Sequence, residues 1–203
     1  MQCQDCGMHY VPEVPEDLHG HKKYHDTIVN GLPCHRLKSD LVIWEERDYR
    51  ITVVIHATSP VAQRKRAEDA GRLANKDTRY DFPPYDSGKA LDKRDVHIFL
   101  LFFKNRIVGF LIIDRRETIW KYTWEQYKSH EELDPISHPP IWSVGLVWIH
   151  RRHRRKGLGQ RLISEAMSFG GIHIDSLGWY TPFTELGEAL VKKICPDFFY
   201  IAK

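Results

Sequence analysis

Long apolar runs are missing from this 203-residue chain. Its most hydrophobic stretches, residues 97–103 and 107–113, are strand-sized, whereas a membrane-crossing helix needs about 20 apolar residues. The opening MQCQDCGMHY lacks the apolar core of a secretion signal. Cysteine is scarce: Cys3 and Cys6 lie together and Cys34 and Cys195 far apart, which is no disulfide framework of a small secreted domain. Charge of one sign is also lacking. With 30 Lys and Arg against 27 Asp and Glu the formal net charge is only +3, so affinity for polyanions has to come from local clustering. These absences point to an intracellular chain with no membrane segment. Its 42% hydrophobic content suffices for one substantial domain plus a small appendage, without covalent staples.

What is present begins with metal-ligand spacing. Cys3-x2-Cys6 is followed after fourteen residues by His21-x3-His25. Two thiolates on a tight knuckle and two imidazoles one helical turn apart make a closed tetrahedral set for Zn²⁺. His19 competes with His21, because Cys6-x12-His19 also fits finger spacing. The two lie about 200° apart around a helix, so His19 replaces His21 or stays out. A segment this short and polar cannot fold on apolar burial, so zinc supplies its stability and its role is structural. One finger reads only about three base pairs, which favours docking or scaffolding over sequence-specific DNA binding.

The second feature is HRRHRRKGLGQ, residues 150–160. It follows the buried-strand pattern IWSVGLVWI (141–149) and opens an amphipathic helix bearing Leu158, Leu162, Ile163 and Met167. Gly157 and Gly159 let main chain approach an anion without Cβ clashes. Free N–H groups at a helix start favour negative charge, and Arg154, Arg155 and Lys156 add charge-assisted bonds at the rim. The pattern fits a phosphate cradle better than a solvated basic tag.

Around these features the chain reads as strands at 41–47 and 50–56, a helix opened by Ser59-Pro60 and running to about 75, and a mobile loop over 78–95. A hairpin follows, 97–103 and 107–114 about Lys104-Asn105-Arg106, then a loop over 129–140 and a strand over 141–149. Helices at about 158–169 and 184–194 flank a strand at 173–181, and FFYIA (198–202) closes the order. The helix near 61–75 offers Val61, Ala67, Ala70 and Leu73 as a weak apolar face. The order β-β-α-β-β-β-α-β-α-β predicts an α/β (α+β) layered domain.

Arg154-x-x-Gly157-x-Gly159 after a strand resembles the pyrophosphate motif of the GNAT acyltransferases. That resemblance implies a mixed twisted sheet flanked by helices, with acetyl-CoA bound along a splayed strand edge. Backbone of Val147, Trp148 and Ile149 would line the pantetheine arm. Arg154, Arg155, Lys156, Gly157, Leu158, Gly159 and Gln160 would surround the diphosphate. Together with CQDCGMHYVPEVPEDLHGHKKYH at the N-terminus, the chain resembles the Eco1/ESCO sister-chromatid-cohesion acetyltransferases. Cys3, Cys6, Gly7, Met8, Tyr10, Glu16-Asp17, His21 and His25 match that group's finger, and on this basis His21 is preferred to His19. Val147-Trp148-Ile149, Arg154-Arg155-Lys156 and Phe198-Phe199-Tyr200 match its catalytic domain. The resemblance implies a C2H2-like zinc finger over 1–30 and a GNAT domain over 38–203. It further implies a protein substrate with an acceptor lysine, an association with chromatin or DNA, and a nuclear location.

The departures fall where the chemistry should be. The family's serine, glutamate and aspartate positions are Gly145, Ser164 and Thr181 here. The expectation is therefore a diverged acetyltransferase, in which Tyr180 protonates the leaving thiolate and Glu165 or Glu185 acts as base through water, with Asp114 and Glu117 as further carboxylates. An acetyl-CoA-binding adaptor or nucleic-acid-associated module is the alternative.

Overall fold

A computed structural model describes residues 1–78, 85–88 and 95–202. In chain order these form α1 (Pro15–Asn30), β1 (Leu32–Pro33), β2 (Leu41–Glu46), β3 (Tyr49–Ile55), α2 (Val61–Thr78), β4 (Val96–Phe103), β5 (Arg106–Arg116), β6 (Ile119–Thr123), α3 (Trp124–Lys128), β7 (Ile141–Ile149), α4 (Leu158–Gly170), β8 (Leu177–Trp179), α5 (Glu185–Ile194) and β9 (Phe198–Ala202). Single 3-10 turns lie at Arg151–His153 and Ile174–Ser176. The strands join in one mixed sheet of order β2-β3-β4-β5-β7-β8-β9-β6, with β1 paired to β5. Pairing is antiparallel from β2 to β7 and parallel across β7-β8-β9.

The central strands are apolar on both faces because helices cover both. Ile98, Leu100 and Phe102 of β4 point with Val54 and Phe110 into a core roofed by Ala67, Ala70 and Leu73 of α2. The intervening Phe99 and Leu101 join Ile51, Val53 and Leu111 against Leu162 and Ile163 of α4 and Val191 of α5. Side chains that alternate along a strand thus feed two cores, which accounts for a continuous hydrophobic run in place of polar alternation.

Several expectations are corrected. Val61 is 55% exposed, while Gln63 and Arg66 are buried in its stead. Gln63 donates to the Ser39 carbonyl, and Arg66 forms a salt bridge with Asp40, whose side chain is fully buried. The Ser59 hydroxyl accepts from the Ile55 N–H rather than capping α2. The strand expected at 173–181 is cut to Leu177–Trp179, since residues 174–176 coil into the 3-10 turn, where the Asp175 N–H donates to the His173 ring. β6 and α3 were not anticipated. Most of the loop expected at 78–95 falls outside the described residues.

The sheet splits where the site forms. β8 accompanies β7 only over Trp142–Val144, and the last link is the Tyr180 N–H to the Val144 carbonyl at 3.0 Å. On the other edge of β7 the register with β5 slips between Val144 and Leu146, which makes Gly145 a bulge. From Gly145 onward the β8 side of β7 has no partner strand among the described residues.

Candidate active site and metal centre

The first ten residues fold back on themselves. The Cys3 N–H donates to the Met8 carbonyl and the Gly7 N–H to the Cys3 carbonyl, both at 2.9 Å. Gly7 takes φ +72°, left-handed backbone that suits glycine. This knuckle faces α1, whose i, i+4 spacing brings His21 and His25 together. Ligand atoms of Cys3, Cys6, His21 and His25 all lie within 4.8 Å of one another. His19 is exposed and stands outside the cluster. Hydrogen bonds from the Cys6 backbone and from His21 hold the Cys3 thiol down to about 6, which favours the thiolate a metal needs. Burial pushes the Cys6 thiol up. His21 is buried, stacked on Tyr10 at 3.8 Å between ring centroids, and its Nε2 has no partner. A ring with a buried, unpartnered nitrogen, whose ligand atom lies within 4.8 Å of those of Cys3, Cys6 and His25, is what a zinc ion would satisfy, so the residues fit Zn²⁺. All four ligands come from the protein, which makes the site structural.

The second centre is the junction of β7 and α4. No side chain caps α4, and Gly157 at its start has φ +73°. Arg155 is left-handed too, at φ +60°, so amides on either side turn toward a common space, as in an anion-binding nest. The N–H groups of Arg155 through Gln160 meet no acceptor among the described residues. A Cβ on Gly157 would meet nothing within 4 Å, whereas one on Gly159 would lie 3.6 Å from Leu190. Gly157 is therefore required by conformation, whereas a side chain at Gly159 would meet its neighbours only at ordinary contact distance. Arg155 and Lys156 are exposed and their side chains make no hydrogen bond or ion pair with described residues. Arg154 is otherwise engaged: its Nε donates to the Ile149 carbonyl at 2.8 Å and its fork pairs with Asp77. The Trp148 ring is buried against α2 and donates to the same Asp77 at 2.8 Å, so Trp148 offers only main chain to a ligand. Free amides, positive φ and unpaired cations beside an open strand edge fit the diphosphate and pantetheine of acetyl-CoA.

Tyr180 sits at the split in the sheet. A Cβ built on Gly145 would lie 3.6 Å from its ring. Its hydroxyl donates to Asp114 at 2.7 Å, and Arg116 pairs with Asp114 at 2.8 Å. Burial and the Asp114 charge raise the Tyr180 pKa, so the hydroxyl keeps its proton at neutral pH. Asp114 is brought to Tyr180 from 66 residues away by strand pairing, which no local motif announces. The two expected glutamates lie on α4 and α5, away from any bond to Tyr180. Glu165 pairs with Arg161 at 3.2 Å on the α4 face where Arg161 lies over Trp44. Glu185 is exposed in the first turn of α5, where it complements the helix dipole. Neither hydrogen-bonds to Tyr180.

Beyond Tyr180, Thr181 lines an open cleft of about 450 Å³ with Trp120, Tyr122, Tyr127, Glu131 and Glu132. Sequence reasoning missed this cleft along with β6 and α3. The available signal was the Thr123-x-x-Gln126 capping box, which the structure forms in full.

A family model for the acetyltransferase (GNAT) family matches residues 67–173, and a model described as the zinc-finger of acetyl-transferase ESCO matches residues 1–27. The chain belongs to the acetyltransferase (GNAT) family, enzymes whose acyl donor is acetyl-CoA. Within that class it is similar to mouse N-acetyltransferase ESCO2, 26% identical over 166 residues that cover 79% of this chain and 27% of that protein. N-acetyltransferase ECO1 of Candida glabrata is 22% identical over 222 residues, covering 95% of this chain and 83% of that one. The chain spans about a third or less of the vertebrate ESCO2 proteins it matches. In three dimensions it superposes on the xEco2 acetyltransferase domain bound to a K105-CoA conjugate with TM-score 0.64, at 20% identity, over 82% of this chain and 98% of that one. The likeness is one of fold.

Proposed function

We propose that this chain transfers the acetyl group of acetyl-CoA to an amine, a lysine of a nuclear protein of cohesin or chromatin type. It works as two units, a zinc-stabilised finger over 1–30 and a catalytic body over 38–203. The observation that carries the reading is the row of unpaired amides from Arg155 to Gln160 beside the open edge of β7. Acetyl-CoA supplies an activated thioester when bound. Those amides, with Arg155 and Lys156, hold its diphosphate, and main chain at Val147, Trp148 and Ile149 aligns the pantetheine arm. Tyr180 holds a proton on its hydroxyl oxygen under the Asp114 carboxylate. It would pass that proton to the departing thiolate of bound acetyl-CoA and regain one through water from the attacking amine, which would first have lost its ammonium proton to solvent. Glu165 and Glu185 serve their own helices.

The cleft beyond Thr181 suits the acceptor. Aromatic faces of Trp120, Tyr122 and Tyr127 accept the methylenes and ammonium of lysine. Glu131 and Glu132 favour a cation there over an anion. The test is CoA release from acetyl-CoA on a library of lysine peptides. Turnover is expected, with a peptide KM that rises several-fold in an E131Q/E132Q variant at low salt. Saturable acetyl-CoA binding with no release on any peptide would overturn the enzyme reading and leave the adaptor.

A further inference from the structure

The run His150–Lys156 divides its side chains among three tasks: His153 and Arg154 hold to the body of the fold, and only Arg155 and Lys156 are left for the phosphate side. The first three residues grip the finger. His150 is 2% exposed, and its Nε2 donates to the Ile28 carbonyl in the last turn of α1 at 3.0 Å. Arg152 donates to the Asn30 side chain at the end of the same helix at 2.7 Å. Arg151 donates at 3.0 Å to the Asp5 carbonyl, which lies inside the knuckle between Cys3 and Cys6. Three consecutive residues therefore hold both metal-bearing parts of the finger, the knuckle and the helix.

These same residues fix the start of the phosphate loop. The His150 Nδ1 accepts from the Arg152 N–H at 3.4 Å and the His150 carbonyl from the His153 N–H at 2.8 Å, closing the 3-10 turn. His153 is anchored to the Tyr49 hydroxyl at 2.9 Å. The next residues are Arg154 and the left-handed Arg155. A shift of the knuckle or of the α1 terminus thus moves the turn from which the free amides project. The Tyr49 anchor belongs to the sheet and the Asp77 anchor of Arg154 to α2. The side-chain bonds of residues 150–152 to α1 and the knuckle tie the loop to the finger.

We infer that His150, Arg151 and Arg152 are positioning residues that link zinc occupancy of the finger to cofactor binding at the α4 loop. The inference rests on the proposed placement of acetyl-CoA. Linkage is reciprocal: if zinc tightens cofactor binding by some factor, cofactor tightens zinc binding by the same factor. A coupling of ordinary size gives about tenfold in each direction.

The experiment uses the full chain and desulfo-coenzyme A, which keeps the diphosphate but has no thiol to bind zinc. Zinc affinity is measured by competition with a chromophoric chelator, with and without saturating desulfo-coenzyme A, and cofactor affinity by calorimetry on the zinc-loaded chain. About a tenfold gain in zinc affinity is expected on adding the cofactor analogue. An R151M/R152M variant should still bind one zinc, bind the analogue more weakly, and lose the gain. R151K, which keeps a donor toward the Asp5 carbonyl, should retain most of it. Analogue binding that leaves zinc affinity unchanged in the unaltered chain would overturn the linkage alone, as would a full gain in R151M/R152M. Absence of any analogue binding to the zinc-loaded chain would overturn the linkage and the cofactor placement together.

Discussion

Replacing Tyr180 by Phe removes one oxygen from the split in the sheet and separates two roles of that residue. The hydroxyl lies 2.7 Å and 2.9 Å from the two oxygens of Asp114. A hydrogen bond to a charged acceptor contributes about 1.5–3 kcal/mol. Asp114 keeps its ion pair with Arg116 at 2.8 Å, so the loss belongs at the lower end, near 1.5 kcal/mol, and the variant should fold. Its effect on rate should be much larger. A positioned proton donor contributes about 10²–10⁴-fold, equivalent to roughly 3–5 kcal/mol of barrier. The hydroxyl bonds to Asp114 and to none of the amides of α4, so the KM for acetyl-CoA should stay within about twofold while kcat falls by at least 10². Because burial and Asp114 raise the Tyr180 pKa, the unaltered enzyme should show no loss of rate from tyrosine ionisation below about pH 10. The assay is CoA release at saturating acetyl-CoA and peptide, paired with a thermal melt. E165Q and E185Q, assayed alongside, should each retain most of the rate. Full kcat in Y180F would refute the role of Tyr180, and a collapse confined to E165Q would move the base to α4.

Two further outcomes follow from buried groups in the body of the fold. Burial, reinforced by Lys156, His150 and Arg152, lowers the His153 pKa to about 4, and burial lowers that of His150 as well. The folded chain therefore binds fewer protons than the unfolded one between pH 6.5 and 4. Stability should be full above pH 6.5 and fall as the pH drops through that window by up to about 1.4 kcal/mol per pH unit for His153, with His150 acting in the same direction. Denaturant melts should show H153Q flattening the slope, and an unchanged slope would contradict the assignment. Removing Asp40 leaves the Arg66 guanidinium, 7% exposed, without its counter-charge. D40A should cost about 3–5 kcal/mol, and D40A/R66M should recover much of the loss. Equal melts for the single and double variants would show that the pair is not coupled.

Legibility in the sequence varied with how local the signal was. The cysteine–histidine cluster and the glycine-bearing junction of β7 and α4 were readable because each lies within one knuckle, one helix turn or one strand-to-helix connection. The strands from 97 to 114 were readable because helices on both faces make them uniformly apolar. The buried face of α2 was not, since Arg66 and Gln63 look like a solvated face until Asp40 and Ser39 are seen beneath them. β6 and α3 are five residues each, too short for periodicity to show. The partnership of Tyr180 with Asp114 depends on which strands adjoin β7, and the division of labour in the basic run depends on where α1 ends. Both arise from tertiary pairing, so spacing along the chain carries no trace of them.

The central claim is that main-chain N–H groups from Arg155 to Gln160 receive the diphosphate of coenzyme A. Backbone amide NMR of the zinc-loaded chain during titration with coenzyme A tests it residue by residue. The amide protons of Gly157, Leu158 and Gly159 should move downfield in a saturable manner, as unpaired donors gain charged acceptors. Saturable binding that shifts resonances elsewhere and leaves these three unmoved would contradict it.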